Sequence, residues 1–198
     1  MNEKLLNQID FIVKIDEMKN VLRRNINVSI NRRENDAEHS WHLAVMAMLF
    51  KEYSSEVVDF DKAVKMCLVH DLVEVYAGDT FCWDAKANES KSERERLAAD
   101  KLFGSLLDGQ GKEIRALWEE FDSASTPESR YANAMDRLQP FILNMHTEGH
   151  TWRLAKTTFS QAMGRFGMIK DALPDVWNYV EDNIEVAVNK GWIIDDRK

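Results

Sequence analysis

An all-α fold is predicted by three observations: apolar residues recur at three- and four-residue spacing along almost the whole chain, no stretch alternates apolar and polar residues cleanly, and 8 Gly and 3 Pro leave little material for linkers. Phe11, Ile15, Met18 and Leu22 form one stripe of a first helix, expected to end near Arg24. Residues 25–35 mix Asn, Ser and Arg and read as a loop before an N-cap at Asn35 or Asp36. A second helix should span about residues 37–53 and bury Trp41, Ala44, Val45, Met48 and Leu49. Asp59 or Asp61 can cap a third, apolar nearly all round and therefore central, which reaches Tyr76 and stops at Gly78. After a loop at 80–88, a charged helix is expected over about 89–107, ending near Gly109 and Gly111, and a short one over 113–121. Thr126-Pro127-Glu128 opens a long helix carrying Ala132, Met135, Leu138, Phe141, Ile142 and Met145, which Gly149 interrupts. Residues 159–192 supply one or two more helices, broken at Pro174, and no internal repeat or domain boundary is visible.

Composition narrows the function. The 198 residues, 44% hydrophobic and 30% charged, suit one soluble globular domain, or two small ones at most. The longest apolar run, residues 43–50, is far short of the ~20 residues that cross a bilayer. The N-terminus lacks the apolar core and cleavage site of a secretory signal, so a cytoplasmic location and no membrane partner are expected. Cys67 and Cys82 have no metal-site spacing and read as reduced thiols, Cys67 in the core. With 26 Lys+Arg against 34 Asp+Glu, the net charge of −8 disfavours polymeric nucleic acid as a partner. One exception is local: residues 14–33 hold six basic residues (Lys14, Lys19, Arg23, Arg24, Arg32, Arg33) against Asp16 and Glu17, a balance of +4.

Chemistry gathers on a few polar residues among apolar ones. His70 and Asp71 lie in the middle of the most apolar helix, where an unpaired carboxylate is expensive. The plainer interpretation pairs Asp71 with an arginine and lets His70 fill core volume. Glu74, three residues after Asp71 and four after His70, puts three such groups on one helix side, where they repel unless a cation sits among them. His39 begins the second helix, and Asp136 stands between the core positions Met135 and Leu138. Two His and two Asp from three helices form a plausible site for a divalent cation with positions left open for water.

The order His39, His70-Asp71, Asp136 resembles the HD-domain metal-dependent phosphohydrolases, and Glu38-His39-Ser40 with His70-Asp71-Leu72-Val73-Glu74 and Gly78-Asp79 is similar to the 5′-deoxynucleotidase branch. The resemblance runs from about residue 11 to 152 and implies a single compact helical HD domain over 1–198, with residues 153–198 packed on the motif-bearing core. It implies that His39, His70, Asp71 and Asp136 hold one divalent metal ion (Mn, Co, Fe, Ni, Zn or Mg), that Glu74 is the acid/base group or orients the attacking water, and that Asp79 contacts a sugar. An arginine near the end of the family's first helix holds the 5′-phosphate; alignment puts Arg24 there, with Arg23 the alternative. That branch carries Trp directly after this arginine, whereas Asn25 stands here, which leaves the choice between ribose and deoxyribose open. A homodimer is implied as well. Trp83, just after Asp79, is a candidate to touch base or sugar. His42 reads as a packing or supporting group, and His146 and His150 as part of a pocket wall or dimer contact rather than a second metal site. The expected activity is phosphomonoester hydrolysis on nucleoside monophosphates. The alternatives are a non-catalytic metal- or nucleotide-binding module, a hydrolase of another small phosphorylated metabolite, or a helical interaction protein with buried salt bridges; Glu74 favours the enzyme.

Overall fold

Asn2 caps the first helix of the computed structural model, which describes residues 2–197, by accepting the Lys4 amide at 3.0 Å. That helix, α1 (Glu3–Ile15), buries Phe11, and a 3-10 turn, Asp16–Asn20, buries Met18. The chain then leaves the helical path, against expectation. Leu22–Ile26 (β1) pairs antiparallel with Arg33–Asn35 (β2), and the Arg33 side chain donates to the Leu22 and Arg23 carbonyls across the hairpin. The first helix thus ends at Ile15, Leu22 is exposed, and the region read as helix end and loop is a hairpin. Strands this short show no alternation in sequence, so periodicity could not reveal them.

The second helix, α2 (Asp36–Leu49), starts as expected: the Asn35 side chain accepts the Glu38 amide at 2.9 Å and the Glu38 carboxylate accepts the Asn35 amide at 3.2 Å. Its buried face differs from the expected one. Asp36, His39, Ser40, Leu43, Ala44, Met46 and Ala47 point inward, while Trp41, Met48 and Leu49 are more than 60% exposed. Turning Asp36 and His39 toward the site keeps Ala44 inside but rotates Trp41, Met48 and Leu49 out.

Asp59, rather than Asp61, caps α3 (Phe60–Val69) by accepting the Lys62 amide. Leu68 is exposed, so α3 is not buried all round. It also does not run through to Tyr76. His70–Val73 form tight turns with three-residue hydrogen bonds, Leu72 to Val69 and Glu74 to Asp71, before α4 (Glu74–Ala77). Three-residue turns stack side chains i and i+3, which sets Glu74 over Asp71. Gly78 ends α4 with φ +74° and ψ 152°, a positive-φ extended conformation open to glycine but not the αL terminator expected.

Ala85–Asn88 (α5) lies within the expected loop, and Lys91–Phe103 (α6) and Gln110–Ser123 (α7) follow. Despite its charge, α6 buries Ala98, Ala99, Leu102 and Phe103 in a small apolar cluster with Phe11, Met18, Leu72, Val73 and Trp118. The deepest helix is α8 (Pro127–His146), opened by Thr126, whose hydroxyl accepts the Ser129 amide. Ala132, Met135, Leu138 and Phe141 are fully buried along it. Gly149, at φ +65°, turns the chain into α9 (His150–Ala155); a Cβ there would lie 2.5 Å from the Trp192 Cβ. Phe159–Phe166 (α10), Met168–Ala172 (α11) and Pro174–Asn189 (α12) complete the larger core against α8, with Pro174 in the first turn of α12. No described helix is long and apolar enough to cross a membrane.

Candidate metal centre

Three elements deliver the polar side chains to one point. The capped start of α2 directs His39 inward, the tight turn after α3 presents His70 and Asp71, and the middle of α8 supplies Asp136. Donor atoms of His39, His70 and Asp136 all lie within 4.8 Å of one another, and all three residues are buried. His39 Nε2 is 3.1 Å from Asp136 Oδ1, and His70 Nε2 is 3.0 Å from Asp71 Oδ2 and 3.8 Å from Asp136 Oδ1. Asp71 Oδ2 is also 4.0 Å from His39 Nε2. Asp71 shares a second cluster with Asp36 and Glu74, again with donor atoms within 4.8 Å.

Surrounding hydrogen bonds prepare the imidazoles as ligands. Gln139 donates through Nε2 to Glu34 Oε1 at 2.6 Å and approaches His42 Nδ1 at 3.2 Å, so its Oε1, 3.1 Å from His39 Nδ1, is the acceptor there. An amide oxygen cannot donate, so His39 carries its proton on Nδ1 and turns the Nε2 lone pair toward Asp136. His70 Nδ1 likewise sits 2.9 Å from the Cys67 carbonyl, and its buried Nε2 has no hydrogen-bond partner. Lone pairs facing carboxylate oxygens at 3 to 4 Å repel unless a cation lies between them. The orphaned His70 nitrogen and the mixed imidazole–carboxylate set fit a divalent metal. His42, half-buried, touches Gln139 through that 3.2 Å contact.

Electrostatics tell the same story. Burial pushes His39 down to about 4 and Glu34 up to about 7. Asp36 rises to about 7 through burial and the Asp71 charge. Burial, with Asp71 and Asp36 alongside, drives Glu74 well above the usual carboxylate range. For Asp71 and Asp136 burial acts upward but is outweighed, by His70 and Arg23 in one case and by Arg137 and His39 in the other, and both stay below the usual range. His70 is raised because Asp71 and Asp136 overcome its burial; the carboxylates that suit a metal also favour a proton.

Above this centre opens a cavity of about 150 Å³, lined among others by Asp71, Glu74, Asp79, Trp83 and Asp136. Arg23 and Arg24, adjacent on a strand, take opposite faces. Arg23 turns in, with Nη1 2.7 Å from Asp71 and 3.3 Å from Asp36, and 4.0 Å from Asp79. Arg24 is exposed at the cavity rim, and Asn25 is buried in its wall. The sequence reading missed Lys91, Arg137, Gln139 and Arg165, of which all but Gln139 line the cavity. Gln139 could have been found, being an uncharged polar residue one helical turn beyond Asp136. Arg137 follows Asp136 directly, but nothing in the sequence points to Arg165. His146 and His150 do not line the cavity, though Thr151 and Trp152 of the same segment do.

The sequence pattern of the HD domain family matches residues 15–177. A Danio rerio protein named 5′-deoxynucleotidase HDDC2 is 31% identical over 165 residues, covering 81% of this chain and 80% of its own. The Homo sapiens protein of that name is 29% identical over 135 residues, covering 68% of this chain and 65% of its own. A crystal structure described as a predicted metal-dependent phosphohydrolase from Magnetospirillum magnetotacticum MS-1 superposes with a TM-score of 0.91, at 41% identity over 96% of both chains.

Proposed function

The chain belongs to the HD domain family, and from that premise we propose that it is a metal-dependent hydrolase that removes the 5′-phosphate from ribo- and deoxyribonucleoside monophosphates. The observation that carries this reading is the meeting of two imidazole nitrogens and two aspartates below a cavity walled by arginines. In this reading His39, His70, Asp71 and Asp136 hold one divalent ion, and their chemistry admits Mn, Co, Fe, Ni, Zn or Mg. Such an ion, when bound, polarises a phosphoryl oxygen and acidifies a water.

The chain's own residues do the rest. Glu74, with Oε2 buried without a partner and its carboxyl held above the usual range by burial, Asp71 and Asp36, takes a proton from the attacking water or orients that water. Arg23 keeps Asp71 anionic and in place. Arg24, at the rim, draws the phosphate in. Asp79 accepts from a sugar hydroxyl, and Trp83 offers its ring to the base. Asn25 is small enough to admit both sugars. The reading extends to one HD domain over residues 1–198, to a cytoplasmic location and to a homodimer, the last supported by the exposed apolar residues Trp41, Met48 and Leu49.

A phosphate-release screen over ribo- and deoxyribonucleoside 5′-monophosphates with several divalent metals tests the proposal. Metal-dependent release at comparable rates from both sugars is expected. Strict deoxyribose preference would overturn the role given to Asn25, and no release from any nucleotide with any metal would overturn the activity.

A further inference from the structure

We infer that Arg165, on α10 and far from the ligand motifs, is the guanidinium that binds the phosphate, with Arg137 beside it. Five cations line the cavity: Arg23, Arg24, Lys91, Arg137 and Arg165. Their partners separate them. Arg23 lies within 4 Å of Glu34, Asp36, Asp71 and Asp79, so its charge is already met. Lys91 pairs with Glu95 at 3.5 Å. Arg137 shares its charge with Asp136, Nη1 to Oδ2 2.5 Å. Among the described residues, only Arg24 and Arg165 of the five form no ion pair. Arg24 is exposed and also borders a separate surface hollow with Asp84 and Arg94, so it serves the rim. Arg165 is half-buried next to the buried Phe166, in the wall that also holds Asp136 and Arg137.

The crowding of these guanidiniums is the second observation. Arg137 and Arg165 both line the cavity, and Asp136 pairs with only one of them. Like charges held together in a half-buried wall are relieved by an anion between them. A phosphate suits the place, because its oxygens accept the paired N–H groups of a guanidinium fork and the metal ligands stand in the same cavity. The C-terminal helices then complete the site rather than merely packing on it. What the phosphate is attached to rests on the nucleotidase reading; the phosphate site itself rests on the cavity.

Inorganic phosphate binding to the metal-loaded protein, measured by calorimetry and as competitive inhibition, tests the inference. Arg165→Gln should weaken phosphate binding roughly tenfold or more, as loss of a charged hydrogen-bonding partner does, and raise KM similarly with a smaller change in kcat. Arg165→Lys keeps the charge and loses the fork, so it should recover part of the affinity while staying several-fold weaker than Arg. Arg153→Gln, at an exposed position of α9 and 3.9 Å from Glu148, is the control and should bind phosphate normally. Metal content and thermal midpoint should match across the set, since Arg165 makes no ion pair whose loss would loosen the fold. Phosphate affinity within twofold of the unsubstituted protein in both Arg165→Gln and Arg165→Lys overturns the inference. Loss of phosphate binding in a protein whose unsubstituted form hydrolyses no nucleotide would instead keep the site and reject the nucleotidase reading.

Discussion

The two faces of α8 lead into opposite kinds of interior. One carries Met135, Leu138 and Phe141 into an apolar core with α10 to α12, where Phe141, Trp152 and Phe166 meet at centroid distances of 5.2 to 6.2 Å and Ile169, Leu173 and Ile184 are fully buried. The other carries Asp136 and Gln139 into a cluster with Glu34, Asp36, His39, His70, Asp71 and Glu74, every one of them under 10% exposed. Of eight buried side-chain polar atoms without a hydrogen-bond partner among the described residues, five belong to this cluster and Arg23. The apolar half is stabilised by its own contacts. The polar half is costly until a cation arrives, and a fold can carry that cost because the apolar half offsets it.

The sharpest way to break this contrast is Asp136→Ala. It should abolish metal retention and lower hydrolysis on the order of 10³-fold while the apolar core stays folded; full turnover with bound metal, by elemental analysis and phosphate release, would contradict it. Ile184→Ala tests the other half. With a fully buried side chain shortened, it should cost about 3 kcal/mol in denaturant unfolding and leave metal content unchanged. A change that lowered metal content in proportion would show that the halves are not independent.

Gln139→Leu keeps volume but removes the acceptor that holds the His39 tautomer, and metal affinity should fall roughly 10- to 100-fold. The smallest effect is a pH trend in the metal-free protein. Glu34 and Asp36 sit near 7 when folded, above their ordinary values, so between about pH 4 and 7 the folded state binds more protons than the unfolded one. Their contribution to stability is therefore present at low pH and lost as pH rises through 7. A melting midpoint of the chelated protein that rises over that window would rule out these two carboxyls as its controlling groups.

Much of this was legible in advance. Caps at Asn35, Asp59 and Thr126 and the break at Gly149 are local events, written within a few residues of where they act, and the structure has them all. Carboxylates and imidazoles set among core positions betrayed the centre, since few other reasons put Asp71 or Asp136 there. What eluded reading depended on distant partners. The hairpin at Leu22–Ile26 exists because Arg33–Asn35 is there to pair with it, and it turns Arg23 inward and Arg24 out. The outward stripe of Trp41, Met48 and Leu49 follows from His39 being drawn toward residues on α8.

Residue order alone therefore carries the helical class, the helix starts and the identities of the groups that converge on the centre, because caps, periodicity and misplaced polar residues act over short range. Only the packed chain decides which face of α2 is buried, which arginine is spent on carboxylates and which stays free, and that Arg165 reaches the cavity that Asp136 lines. Those outcomes depend on contacts between residues far apart in the chain, where the energy of burying one charge is set by the charge that another helix brings to meet it.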